Sequence, residues 1–178
     1  MSGAGPAPPI APERFRNAMG RWATGVTVLT AHAGEEDAGM TVNAFLSVAL
    51  APPSVLVSLQ REVETLPVLR RARRFGVSVL AAAQRELSRR FSQAIPSPEK
   101  FRGVPVRRTP SGTPLLDGAV LALECRLVSE AAAFDHVLVV GEVERLEEGA
   151  EALPRLFYRG QYGEADGEGR LRLGRRAP

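Results

Sequence analysis

The chain has 178 residues, with 23 basic against 20 acidic side chains and a formal net charge of +3; that length suits one domain able to fold without covalent staples. One cysteine excludes an internal disulfide, and two histidines beside it are too few for a structural zinc cluster, so no metal site is expected. Every basic residue except Lys100 is arginine, and no stretch reaches the apolar length of a membrane-spanning helix.

Residues 1–11 lack the basic start and apolar centre of a signal peptide and read as a flexible leader on a cytoplasmic protein. Pro12 and Glu13 open a helix whose Phe15, Ala18, Met19 and Trp22 form one apolar stripe, expected to pack on the core. A first strand follows at 26–31. The stretch 39–60 then gives two extended runs joined by Pro52-Pro53, a corner that must be a chain reversal or an edge because proline cannot donate to a central ladder. Val42, Ala44, Leu46, Val48 and Leu50 alternate with Thr41, Asn43, Phe45, Ser47 and Ala49. The first set is expected to fill the core. The second, small and polar around one aromatic, suits either a wall for a flat polar ligand or the solvated side of an edge strand, and the pattern alone does not choose.

Thr65, Pro67, Val68, Leu69, Ala72 and Phe75 place a short helix that Gly76 should stop, with a strand at 76–81. The basic run at 70–74 reads as a solvated helix face in preference to a nucleic-acid patch. Ala83, Leu87 and Phe91 mark another helix, with Gln84, Ser88, Arg89 and Arg90 on its polar face. Proline and glycine dominate 94–118, predicting a long loop with one short strand near 104–107. Two long alternating runs, 119–130 and 136–148, are the strongest β signal, and Cys125 falls on the apolar side of the first. Residues 153–162 close the domain, taken as 12–163, and 164–178 read as a tail. Strands outnumber helices and mostly follow one another directly. The fold class is therefore mainly β (α+β), an antiparallel barrel with a few flanking helices, not a doubly wound parallel sheet.

No dinucleotide-binding glycine motif, phosphate-binding loop or nucleophile elbow is present. The carboxylate pairs Glu35-Glu36 and Glu147-Glu148 are expected in exposed turns, and His32 in a hydrophilic turn without a role. His136 heads a strand directly after Asp135, where an imidazole either leans over a pocket or serves structure.

The segments TGVTVLTA, GMTVNAFLSVALAPPSVLVSLQ, FGVSVLAAAQRELSRRF, KF at 100–101, LECRLV, FDHVLVVGEV and LFYRGQY follow in order the pattern of a known family. Over residues 12–163 the chain resembles the flavin reductase-like, FMN-binding split-barrel proteins, the small reductase components of two-component flavin monooxygenases. The resemblance implies a Greek-key-like split barrel, a homodimer, and FMN or FAD reduced by NADH or NADPH for a separate monooxygenase. It implies that Gly39, Met40, Thr41, Asn43 and Ala44 line the flavin ring and ribityl chain, continued by Ser47 and Val48. Ser58, Leu59 and Gln60 would meet the ring edge or phosphate side, Thr65 would lie near the phosphate, and Arg90 and Phe91 would reach the phosphate end. Nicotinamide would be placed by His136, the catalytic candidate, with Phe157, Tyr158, Arg159 and Gly160. The chain departs from the family at Phe134, where relatives carry glycine before Asp-His, and at Ser78, where many carry asparagine. Two other readings remain open: an FMN-dependent oxidase of the pyridoxamine phosphate type, and a flavin-binding protein without catalysis.

Overall fold

The computed structural model describes residues 8–165, 168 and 170–173; the first seven residues and 166, 167, 169 and 174–178 of the expected leader and tail lie outside the described residues. In chain order the elements are α1 (Pro12–Met19), β1 (Thr24–Gly25), β2 (Thr27–Ala33), β3 (Glu36–Val42), β4 (Phe45–Leu50), β5 (Pro53–Gln60), α2 (Thr65–Ala72), β6 (Arg74–Val79), α3 (Arg85–Ser92) and α4 (Ser97–Phe101). They continue with β7 (Val106–Arg108), β8 (Pro114–Leu116), β9 (Leu121–Ala133), β10 (His136–Glu148), β11 (Arg155–Tyr158), β12 (Gln161–Ala165) and β13 (Leu171–Leu173). The last of these falls within the stretch expected as tail and pairs with β12.

The main sheet has seven strands in the order β3-β2-β6-β9-β10-β5-β4, all described pairs antiparallel. Its two edges, β3 and β4, are consecutive in the chain and separated only by Asn43 and Ala44. Laid flat, the sheet would hold these edges about 29 Å apart; the link between Val42 and Phe45 spans at most about 11 Å. The sheet must therefore curl until its edges approach, giving a barrel with a seam at residues 43–44. At the seam the β4–β5 ladder runs one rung into the link, where the Ser58 amide donates to the Ala44 carbonyl at 3.0 Å. Inside lie Leu29, Val57, Leu59, Phe75, Val77, Cys125, Leu127 and Val139, capped by Leu66, Val68 and Leu69 of α2. A second core of Val26, Val28, Leu80, Phe91, Val104 and Leu116 joins the barrel to the small sheet β1-β11-β12-β13.

The structure corrects several expectations. The run 42–50 is two strands on opposite sides of the seam, so its alternation restarts: Val42 is core, but Phe45 packs inward on β4 while Leu46 and Val48 face out and Leu50 is 91% exposed. A one-residue change of phase is enough to exchange the faces of a strand. The stripe on α1 is not in the core either; no residue of that helix is buried and Trp22 just beyond it is 71% exposed, because the strands and α2 already fill the barrel. Helix α2 stops at Arg73, in left-handed conformation at φ 56°, and Gly76 belongs to β6, where a Cβ would sit 2.8 Å from Leu115 Cδ2. Ser88 is buried although assigned to a polar face, Ala83 precedes α3, and the expected loop 94–118 holds α4, β7 and β8. His32 lies in β2, its Nδ1 at 2.8 Å from Asp37 Oδ1.

Pro52-Pro53 is a chain reversal between β4 and β5, with a cis Ala51-Pro52 bond. Arg70, Arg71 and Arg74 pair with Glu130, Glu36 and Glu144, as a solvated basic run should. Burial pushes the Cys125 thiol up to about 12, so it is inert packing and not a nucleophile. Gly141 lies where β9 and β10 change register, and a Cβ there would come within 2.6 Å of Phe75 Cε1 and 2.8 Å of Cys125 Cβ. Because the Phe75 ring is fully buried and cannot swing away, Gly141→Ala is expected to lower unfolding free energy by about 1–3 kcal/mol in urea titration.

Candidate functional site

A cleft of about 630 Å³ opens where the two sides of the seam face each other. One wall is Met40 and Thr41 of β3; the other is Gln60 at the end of β5, then Val63, Glu64 and Thr65 at the start of α2. The segment from Phe91 to Pro96, leaving α3, and Lys100 on α4 complete it. Its lining mixes apolar groups able to face a flat ring with polar groups able to fix one edge.

Gly39 explains how these elements come so close. A Cβ at this position would lie 2.8 Å from Phe91 Cε1 and 3.1 Å from Phe101 Cζ, so only glycine lets the two rings, packed edge to face at 5.1 Å, come this close to β3. The Gly39 amide donates to Ser97 Oγ at 3.4 Å, and Lys100 Nζ donates to the Gly39 carbonyl at 3.2 Å. Ser97 in turn donates from Oγ and from its amide to Glu64, at 3.0 and 3.4 Å. Thr41 Oγ1 is committed to the Ser88 carbonyl at 2.7 Å and braces α3 against β3.

Lys100 is 8% exposed, and burial lowers its pKa while the Glu64 carboxylate opposes that shift. An ammonium carries three donors, and among the described residues only the Gly39 carbonyl accepts from this one. Together with the amide end of α2, this makes the cleft suited to an anionic group. The wider depression of about 1100 Å³ is lined by Glu35, Glu36 and Asp37 against Arg71 and Arg102, with Arg71 already paired to Glu36, and its excess of carboxylates suits an anion poorly.

Of the flavin residues expected from sequence, Met40, Thr41, Gln60, Thr65 and Phe91 converge on the cleft. Gly39 and Leu59 are buried behind it, and Arg90 is half-buried outside its lining. Asn43 and Ala44 lie in the link at the seam, Ser47 and Val48 on β4 and Ser58 on β5, all outside the cleft lining. His136 is the antiparallel partner of Gln60, which puts its imidazole beside the cleft's edge. Its Nδ1 lies 2.8 Å from Asp135 Oδ1, and that hydrogen bond holds the exposed Asp135 carboxyl below its usual range. Phe157, Tyr158, Arg159 and Gly160 lie on the small sheet and its turn, and Phe157 is held edge-on to Tyr162 at 5.5 Å. The chain thus gathers a flavin-sized cleft and His136 in one place and the 157–160 segment in another. Sequence reasoning did not assign Val63, Glu64, the 92–96 segment or Lys100 to the site, although the KF pair at 100–101 is among the segments that carry the family pattern and Lys100 is the sole lysine among 23 basic residues.

Compared with known proteins, residues 19–166 match a family model described as flavin reductase like domain. The chain belongs to the flavin reductase like domain family. It is similar to an NADH-dependent flavin reductase of a Rhodococcus species, with 41% identity over 160 residues covering 87% of each chain. Among solved structures, flavin reductase PheA2 in its native state matches with a TM-score of 0.79 and 35% identity, covering 87% of this chain and 98% of that one. The Streptomyces globisporus C-1027 NADH:FAD oxidoreductase SgcE6, in complex with NAD and FAD fragments, matches with a TM-score of 0.80 and 32% identity, covering 97% and 100%. The chain is thus a flavin reductase like domain over residues 19–166, the span that holds the barrel and the lining of the cleft.

Proposed function

We propose that this chain is an NAD(P)H-dependent flavin reductase that supplies reduced FMN or FAD to a separate monooxygenase. The observation that carries the reading is the convergence of Met40, Thr41, Gln60, Thr65 and Phe91 with buried Lys100 on one cleft. The residues present fit a flavin: Met40, Val63, Phe91 and Ile95 offer apolar surface to a ring, and Lys100 with the start of α2 offers donors to a phosphate. When bound, the flavin supplies the two-electron acceptor for hydride from the nicotinamide. The protein's task is then to hold two rings in register and keep their charges balanced, which needs no side-chain nucleophile. Lys100 holds positive charge beside the cleft, and His136, oriented by Asp135, is placed to fix the nicotinamide carboxamide.

We further infer a homodimer. Leu46, Leu56 and Val140 are lateral neighbours on the outward face of β4, β5 and β10, and with Val48 and Leu50 they form an apolar surface that a second copy would cover. Among the described residues no helix is long and apolar enough to cross a membrane, and we place the enzyme in the cytoplasm with its nicotinamide supply.

Purified protein mixed with FMN and NADH should consume NADH, followed by absorbance, well above the rate in buffer. Flavin binding without NADH consumption would instead favour the oxidase or non-catalytic readings. Lys100→Met keeps the apolar stem and removes the charge; FMN affinity, measured by flavin fluorescence, should fall about tenfold or more. For His136→Ala, the KM for NADH should rise about tenfold with FMN affinity within about twofold of wild type; equal loss of both would make the residue structural. Asn43→Leu should weaken flavin retention on gel filtration, and unchanged retention would assign the Asn43 side chain to solvent.

A further inference from the structure

Three non-glycine residues among those described have positive φ: Arg73 at 56°, Phe134 at 56° and Arg159 at 50°. Two have local partners. The Arg73 amide closes α2 on the Leu69 carbonyl, and its guanidinium reaches the Leu127 carbonyl at 3.5 Å. The Arg159 amide donates to the Gly20 carbonyl at 2.7 Å, and its guanidinium lies 5.4 Å from the Tyr158 ring centre. Phe134 is 97% exposed, and its ring is packed against no other side chain among the described residues.

Phe134 and Asp135 form the two-residue turn between β9 and β10. The first central position of such a turn favours glycine, asparagine or aspartate, because an L side chain in left-handed conformation crowds its own backbone. An exposed phenylalanine recovers none of that cost by burial, and strain left uncompensated in the folded chain points toward function. The turn is held rigidly, since β9 and β10 pair along their length and the Arg61 amide donates to the Asp135 carbonyl at 3.1 Å. It also sits at the site: His136 follows two residues later, and its strand partner Gln60 lines the cleft.

We infer that Phe134 is a binding residue for the nicotinamide co-substrate, offering its face to a planar heteroaromatic ring of the dinucleotide beside His136. This rests on the reductase reading and specifies it, because a solvent-facing ring carried on a rigidly held turn offers an open face for stacking on an incoming flat ligand. It also gives the glycine-to-phenylalanine departure at this turn a purpose.

The test uses full-length protein loaded with FMN and compares Phe134→Gly and Phe134→Tyr with wild type. Phe134→Gly should raise the thermal midpoint by releasing the left-handed strain, yet weaken NAD+ binding in calorimetry about five- to tenfold, the scale of one lost aromatic stack. FMN affinity and the sedimentation coefficient should not change. Phe134→Tyr should keep wild-type dinucleotide affinity. Unchanged NAD+ binding in Phe134→Gly overturns the inference while leaving the reductase reading intact. Loss of FMN affinity, or of self-association, overturns it by assigning the ring to the flavin or to the subunit contact. Wild-type protein that binds FMN but neither binds NAD+ nor consumes NADH removes the reductase reading, and this inference with it.

Discussion

The two-residue link at Asn43–Ala44 is the constraint on which the rest of the structure depends. It joins strands from opposite edges of a seven-stranded sheet, so the sheet closes around its apolar interior and leaves a seam. The cleft draws Met40 and Thr41 from one side of that seam and Gln60 from the other. Closure and site formation are thus a single event in this chain. A longer link would relax the curl and separate the two walls.

An open seam leaves β3 as an edge strand, and unpaired edge groups invite association. Here α4 covers the edge with side chains in place of a neighbouring strand. Ser97 takes the Gly39 amide and Lys100 the Gly39 carbonyl, while Glu64 accepts from Ser97 and ties the pair to the start of α2. The polar groups that protect the edge are the same ones that polarise the cleft. Gly39 is the hub because its missing side chain makes room for Phe91 and Phe101 and its backbone holds α4.

Much of the fold could be read from the sequence where one physical signal dominates a long run. The thirteen-residue strands β9 and β10, and the amphipathic spacing of Leu87 and Phe91, are of this kind. The reading failed where a tertiary event interrupts a local pattern. The alternation through Val42 to Leu50 is regular in sequence, but the barrel seam falls inside it and resets the phase; no period count reports a seam. The stripe of Phe15, Met19 and Trp22 is a sound amphipathic signal whose partner is simply not this chain's core. Of the residues that family resemblance pointed to, Met40, Thr41, Gln60, Thr65 and Phe91 line the cleft, whereas Leu59 and Gly39 lie behind its wall because a strand shows one face only alternate side chains. Lys100 stands in the KF pair of the family pattern, but its burial went unread because one charged residue in a proline-rich stretch has no periodicity.

That Lys100 is the sole lysine has a practical consequence. Every other basic side chain of the protein is a guanidinium, which amine-directed reagents leave alone. Desolvation makes this amine easier to deprotonate than an ordinary surface lysine, so the one ε-amine the protein offers to acylation lies in the wall of its cleft. Covalent chemistry at that one ε-nitrogen can therefore install a spectroscopic or isotopic reporter inside the cleft without any change to the sequence.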